Sequence, residues 1–510
     1  MNFNFRNFIE KYFDVLIFAI LFLVMLVLSF QRIKNYDIAF TFDQAREMME
    51  IRRMVVTKIP LLIGPATDII GLYYGPFWAY FNSIPFVLYG GDPLGLVKFQ
   101  IITMHLISLI IYFVLRKKNK SLAFYSAILF LFSPTAAFSV KFSWNANSAY
   151  YFAALFPLFL FFKSKLFSFF EGLLCGVILQ VEAAVGILFF PVSLFLHIKR
   201  PKKEKNLIPL FLGFIVTLLP QIIFDIRHGL IMTKSMISEF SGGTDWLGQR
   251  LSLSSMIINR FTYFRSIFSD ASYLPLLVIF SAVILALIMA KRNSENLIFL
   301  KTNLYIIFSF LLFFIIFPFN IRDWYLYGLV PLGIYSFASS LTIISEKHWF
   351  NISSIAVILL AVILSVSSKI SYLYNEKGKS NDLANLNNML IVVDNVYTNA
   401  SGSAFKVYNY TPQVLDYRYQ YLFWWYGTKK YGYQPSIMSY FPGETDYIKN
   451  NSLFWTKKKE SVNEITFLII EKDSTYPERA NDWRKSFPKA STILSFPWDT
   501  TIERIDHQNN

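Results

Sequence analysis

Two carboxylates one helical turn apart, Asp43 and Glu47, stand just behind the first long apolar segment, in Thr41-Phe42-Asp43-Gln44-Ala45-Arg46-Glu47. Residues four apart share a helix face, so both acids could serve one substrate group, for instance by taking the proton from an attacking hydroxyl or amine. The plainer role for Asp43 is to cap a helix that begins at Gln44. For Glu47 it is a solvated face or an ion pair with Arg46 or Lys58. Arginines supply the complementary chemistry. Arg227 follows Asp225 and precedes His228, and Arg322 precedes Asp323, Trp324 and Tyr325, each at the end of an apolar run. A planar guanidinium binds two phosphate oxygens at once, or it simply reaches the headgroup layer. The sequence has no glycine-rich phosphate loop ending in Lys-Ser or Lys-Thr, no His-Glu-x-x-His and no Gly-x-Ser-x-Gly. Its 5 histidines lie far apart, which argues against a histidine-rich metal site.

The elements that must position these groups are membrane helices. The chain is 55% hydrophobic and 18% aromatic, with only 16% charged residues, more apolar than a soluble protein of its length. Apolar runs of roughly 17 to 25 residues, long enough to span a bilayer as helices, occur about eleven times. They lie near 13–30, 97–115, 121–139, 147–162, 166–182, 184–197, 207–224, 272–290, 299–317, 324–345 and 352–370. Basic clusters at Arg116 to Lys120, Lys163 to Lys165, Lys199 to Lys205 and Lys291-Arg292 alternate with loops that carry at most one such residue. The positive-inside rule puts those clusters and the amino terminus in the cytoplasm. Residues 31–96, the polar stretch 225–271 and everything after 370 then fall on the outer face. A break at Gln180 to Glu182 is needed for this count; one long tilted helix there would invert the sidedness of every later segment.

The net charge of +15 does not point to nucleic acid. Residues 371–510 hold 16 Lys plus Arg against 15 Asp plus Glu, so the excess belongs to the membrane part and its cytoplasmic loops. Anionic headgroups explain it. The single cysteine, Cys175, lies in an apolar run and excludes an internal disulfide. The first apolar segment lacks a small-residue cleavage site and reads as a retained helix.

Two domains are expected: a multi-span part, 1–370, with the first outer loop 31–96, and a small α/β outer domain, 371–510. The loop should carry amphipathic helices at Asp43 to Val56 and Phe77 to Leu88, separated by turns around Gly64 to Asp68 and Gly71 to Pro76. Candidate strands in the second domain are Ala404 to Tyr410, Thr466 to Glu471 and Thr492 to Phe496. Helices or turns are expected at Pro412 to Trp425 and Ala480 to Phe487. The stretch 225–271 reads as a lid.

Phe42-Asp43-Gln44-Ala45-Arg46 resembles the first-loop acidic motif, usually Asp-Glu or Asp-Glu-Ala-Arg, of the integral-membrane polyprenyl-phosphate-dependent glycosyltransferases of the C superfamily. The similarity is to the bacterial relatives of protein O-mannosyltransferases and lipid A aminoarabinose transferases (glycosyltransferase family 39-like). Gly64-Pro65-Ala66-Thr67, Gly75-Pro76, Asp92-Pro93, Trp144-Asn145-Ala146-Asn147 and Phe224-Asp225-Ile226-Arg227-His228 resemble further positions, over roughly the first 340 residues. Gln44 departs from the usual second acid.

The resemblance implies a polytopic α-helical membrane enzyme at the cell membrane. It would transfer a sugar, with inversion, from a polyprenyl-phosphate donor to a lipid, glycan or protein acceptor on the outer face. Asp43, with Glu47 nearby, would be the general base; Arg227, Arg322 and Arg46 would hold the donor phosphate. Asp92, Trp144, Asn145, Gln180, Glu182, Asp225, His228 and Tyr325 would line the substrate pocket. Gln180 and Glu182 equally suit a polar membrane edge, and Trp144 and Asn145 an interfacial anchor and turn. Some relatives use a divalent metal, but no ligand set here argues for one and no other cofactor is implied. A flippase or transporter would also need many helices, a polymerase or ligase of lipid-linked glycans would shift weight to Arg227 and His228, and a membrane scaffold would leave the acidic loop unexplained.

Overall fold

The computed structural model describes residues 5–241, 252–272, 274–317, 320–346, 382–413, 415–444, 447 and 465–505. Among those described up to residue 346, the chain forms fifteen α-helices. They are α1 (Phe5–Arg32), α2 (Phe42–Thr57), α3 (Phe77–Leu88), α4 (Pro93–Arg116), α5 (Lys120–Phe132), α6 (Pro134–Lys141), α7 (Asn145–Ala153) and α8 (Lys165–Val181). There follow α9 (Ala183–Lys199), α10 (Leu207–Arg227), α11 (Ile231–Phe240), α12 (Leu253–Ser269), α13 (Leu276–Met289), α14 (Glu295–Ile316) and α15 (Val330–Ser345). Among the described residues, 5 helices are long and apolar enough to cross a membrane, or 6 if α5 and α6, bent by 43°, form one span. This is fewer than the expected eleven. Residues 147–162 are not one helix: α7 stops at Ala153 and a 3-10 turn follows at Phe156–Phe161, where Pro157 removes a backbone donor. Helices α8 and α9, with 17 residues each, stand at the short limit of a crossing, α13 has 14, and 352–370 lies outside the described residues.

The break at Glu182 is real. Glu182 is extended (φ −148°, ψ 98°), ends α8 and caps α9 through Oε1, which accepts the Ala184 N–H at 3.1 Å. The two helices fold back antiparallel: Ser193 donates to Glu171, Ser168 bonds His197 at 3.2 Å, and Gly186 lies against the Leu179 backbone. Helix α10 then returns parallel to α8 at very close range. A Cβ on Gly172 would strike the Leu210 carbonyl, one on Gly213 the Phe169 carbonyl, and one on Gly176 the Thr217 side chain. Small residues four apart are what allow helix backbones to touch in an apolar medium.

The turn region between α2 and α3 is a small β-hairpin. Gly64 N–H donates to Tyr74 O (2.8 Å), Tyr74 N–H to Pro65 O (2.9 Å) and Thr67 N–H to Leu72 O (3.0 Å), leaving Asp68 at the tip. Its return strand is tied to the bundle by two amides. Gln180 Oε1 accepts the Phe77 N–H at 2.9 Å while its Nε2 donates to the Thr217 carbonyl, and Gln221 Nε2 donates to the Tyr73 carbonyl at 3.2 Å. Gly75 leaves no room for a Cβ against Gln180.

The expected lid at 225–271 is two helices, α11 and α12, with 242–251 outside the described residues. Buried Arg260 on α12 donates to the carbonyls of Phe314 (2.9 Å) and Phe317 (2.7 Å), satisfying the carboxyl end of α14.

After residue 382 come α16 (Leu386–Ala400), α17 (Tyr417–Leu422), α18 (Thr428–Tyr431) and α19 (Pro477–Lys485), with strands β1 (Phe405–Tyr410), β2 (Ile437–Ser439), β3 (Ile465–Glu471), β4 (Ser491–Ser495) and β5 (Thr500–Ile505). The sheet order is β2-β1-β3-β5-β4, parallel through β3 and antiparallel beyond it. Tyr408, Tyr410, Leu468, Trp483, Phe487 and Ile505 form a core on it. The three expected strands are present; β2 and β5 are additional.

Contacts divide the chain into two compact units, and the division is not a cut at residue 370. One unit holds Met1–Gln31, Leu61–Trp78 and Gln100–Tyr374; the other holds Arg32–Pro60, Ala79–Phe99 and Asn375–Asn510. The acidic helix α2 therefore belongs with the sheet.

Gly172→Ile or Gly213→Ile should destabilise the bundle by about 1–3 kcal/mol or more, because the opposing atoms are backbone and cannot step aside. Thermal unfolding in detergent checks this; an unchanged midpoint contradicts the close packing. Gln180→Leu should leave the Phe77 N–H without its acceptor, an effect of about 1–3 kcal/mol and so roughly tenfold or more in opening. Hydrogen exchange of peptides covering 72–78 should speed up accordingly, and native-like protection would refute the clamp.

Candidate functional site

The candidate residues fall in both units. In the unit that carries the sheet, α2 begins at Phe42, so its N-cap is Thr41 rather than Asp43. The Thr41 N–H and hydroxyl both donate to Gln44 Oε1, at 2.6 and 2.7 Å. Gln44, the departure from the acidic motif, is thus the third-position partner of a capping box. Asp43 is left free of capping. It lies in the first turn, where the helix dipole favours an anion, its side chain is 40% exposed, and its Oδ1 pairs with Arg46 at 2.9 Å. Arg46 also lies over the Phe42 ring at 5.5 Å. Glu47, expected as a solvated face or an ion-pair partner of Arg46 or Lys58, is buried and so is not a solvated face.

Helix α2 is held inside this unit by aromatic and backbone contacts. Phe42 meets Tyr417 (5.2 Å between ring centroids), Phe40 meets Tyr421 (5.8 Å) and Arg52 lies over Trp424 at 4.7 Å. Ahead of the helix, Phe40 N–H donates to Ala384 O (2.7 Å) and Leu386 N–H to Ile38 O (2.9 Å). Asp92 is buried here too. It accepts the Leu94 N–H at 2.9 Å, which caps α4, and faces the Tyr36 hydroxyl at 3.5 Å. Burial pushes the Asp92 carboxyl up, and burial together with Asp92 pushes Tyr36 up to about 12. Its contacts are those of a structural cap.

In the other unit, Glu182 is the centre of a second cluster. It is 1% exposed, and the Asp68 carboxylate and the Tyr325 hydroxyl lie within electrostatic range of it. Arg322, exposed, acts on Tyr325 and lies over the Trp324 ring at 5.6 Å. Trp324 meets Trp144 edge to face at 5.5 Å. Buried Asn145 donates to the Val181 carbonyl at 2.9 Å, so Trp144 and Glu182 each flank that hydrogen bond. The 3-10 turn Asp323–Leu329, which carries Trp324 and Tyr325, packs through Gly328 on Val185, Ala149 and Ala153.

The remaining expected residues take other positions. Gln180 is used on the hairpin ahead of α3. Asp225 caps α11, accepting from Met232 N–H (2.7 Å), Thr233 N–H (3.3 Å) and the Thr233 hydroxyl (2.5 Å). His228 Nδ1 bonds the Phe224 carbonyl at 2.8 Å and its ring stacks on Phe224. Arg227 is exposed at the end of α10. Asp68 and Trp324 are not among the expected pocket residues; the only signals for them are a turn-forming stretch around Asp68 and the place of Trp324 two residues after Arg322. Among the described residues, no three His, Cys, Asp or Glu side chains converge to hold a metal ion.

An apolar cleft of about 350 Å³ opens in the same unit as Glu182. Phe77, Phe152, Leu155, Phe159, Leu173 and Val177 are among its lining residues.

No family model matches the chain, and no curated protein does. Solved structures do. ArnT from Cupriavidus metallidurans, bound to undecaprenyl phosphate, superposes with a TM-score of 0.54 at 12% identity, over 97% of this chain and 98% of that one. The arabinofuranosyltransferase AftD from Mycobacteria gives a TM-score of 0.47 at 12% identity, over 97% of this chain and 40% of that one. The chain is a mostly helical protein with several helices long and apolar enough to cross a membrane and a small carboxyl-terminal sheet, and its fold is similar to that of ArnT.

Proposed function

We propose that the protein is an inverting glycosyltransferase that moves a sugar from a polyprenyl-phosphate donor to an acceptor on the outer face of the cell membrane. The observation that carries this reading is the state of Asp43. Thr41 and Gln44 meet the capping demand of α2, so a carboxylate in the first turn stays partly exposed and oriented by Arg46. A fold shared over nearly the whole chain with a protein solved with undecaprenyl phosphate supports the donor class. The cleft lined by Phe, Leu and Val side chains offers an isoprenoid chain an apolar surface.

In this reaction the acceptor hydroxyl or amine attacks the anomeric carbon and gives its proton to Asp43. The bond between that carbon and the phosphate oxygen breaks, and its electron pair leaves with the lipid phosphate. Attack opposite the leaving group inverts the anomeric centre. Glu47, one turn further along the same helix and buried, is proposed as the second acid of the site. Arg227 and Arg322, both exposed at helix or turn ends, are proposed to take up the charge developing on the phosphate; Arg46, paired with Asp43, serves chiefly to orient the base. Trp144, Glu182 and Tyr325 are assigned to the substrate pocket. Asp92, Asn145, Gln180 and Asp225 act through the backbone groups they hold. The alternation of basic clusters supports a cytoplasmic amino terminus and an outward-facing sheet domain.

Asp43→Asn keeps size and removes the base. It should lower kcat for sugar transfer from an undecaprenyl-phosphate sugar by about 100-fold or more, with donor binding retained. A variant within about twofold of native activity would remove Asp43 from this role.

A further inference from the structure

A polar atom buried in an apolar bundle needs a partner, and Glu182 has one for only half of its carboxyl group. Oε1 accepts the Ala184 N–H, while Oε2 is buried and, among the described residues, meets no hydrogen-bond donor. An acceptor left unanswered in a site this enclosed calls for a donor brought by a ligand. Its surroundings narrow the ligand. Asp68 at the hairpin tip adds a second acceptor, and Tyr325 a hydroxyl that both donates and accepts. Trp144 and Trp324, edge to face and joined to the same place by the Asn145 to Val181 hydrogen bond, present large apolar rings. Acceptors and a tryptophan pair on linked segments match a sugar ring, whose edge carries donors and whose C–H face packs on indole.

We propose that Glu182, with Asp68, Tyr325, Trp144 and Trp324, is the subsite that recognises a ring hydroxyl or ring amine of the donor sugar, and so decides which sugar is transferred. The proposal rests on the lipid-linked donor reading above. The hairpin clamp acquires a purpose: Gln180 and Gln221 hold the strand that returns from Asp68.

The test is equilibrium binding to the full-length protein in nanodiscs. The probes are undecaprenyl phosphate alone and the same carrier bearing glucose, galactose, mannose, arabinose or an aminopentose. The native protein should bind at least one sugar-bearing carrier about tenfold or more tighter than the bare carrier. Glu182→Ala should abolish that increment and leave affinity for bare undecaprenyl phosphate within about twofold, which also shows that the variant is folded. Asp68→Ala, at an exposed hairpin tip, should reduce the increment without the burden of a buried change and stands in if Glu182→Ala does not fold. Whether a hydroxyl sugar or the aminopentose gains most identifies the donor group. An increment unchanged in these variants overturns the subsite, as does a native protein that binds the carrier but gains nothing from any sugar. A native protein that binds no carrier at all overturns the lipid-donor reading and the subsite with it.

Discussion

The side-chain amides of Gln180 and Gln221 hold the hairpin ahead of α3 to the helices. Gln180 accepts the first free N–H of α3 and donates to a carbonyl in the middle of α10, so a single buried group answers two backbone atoms that an apolar bundle cannot leave unmet. Its placement depends on α8 and α10 touching along Gly172, Gly176 and Gly213, which brings the Thr217 carbonyl within reach of α8. Two residues further on, Glu182 turns the chain and caps α9. Helix contact, hairpin and the buried acid are thus successive consequences of one packed helix pair.

The acidic helix depends on a different set of contacts. Its amino end is ordered by the Thr41 and Gln44 capping box, and its flanks by Tyr417, Tyr421 and Trp424, residues nearly four hundred positions away in sequence. The segment ahead of α2, Ile38 to Phe40, pairs with Ala384 to Leu386. The carboxyl-terminal sheet domain is therefore part of what orients Asp43.

Periodicity exposes much of this to sequence reading. Helices α2 and α3 lie within a residue or two of the amphipathic stretches read from the sequence, the turn at Glu182 is readable from two polar residues inside an apolar run, and β1 and β3 from runs rich in branched and aromatic residues. Local signals fail where distant partners decide. Nothing near Gln180 or Asp225 says that each is taken by backbone groups, and the Gly172 to Gly176 spacing signals helix contact without naming the partner helix. The stretch that forms α11 and α12 reads as a lid because it is polar with scattered aromatics, and nothing local says that Arg260 will be buried against the carbonyls at the end of α14. β2 has 3 residues and β5 carries Glu503 and Arg504, so neither offers the apolar run expected of a strand.

The most direct measurement is the fate of a labelled undecaprenyl-phosphate sugar when the purified native protein is reconstituted in liposomes with candidate acceptors. The account predicts release of undecaprenyl phosphate and appearance of the sugar on an acceptor, with the anomeric configuration opposite to that of the donor. Movement of intact donor between leaflets without cleavage of the sugar-phosphate bond would contradict it.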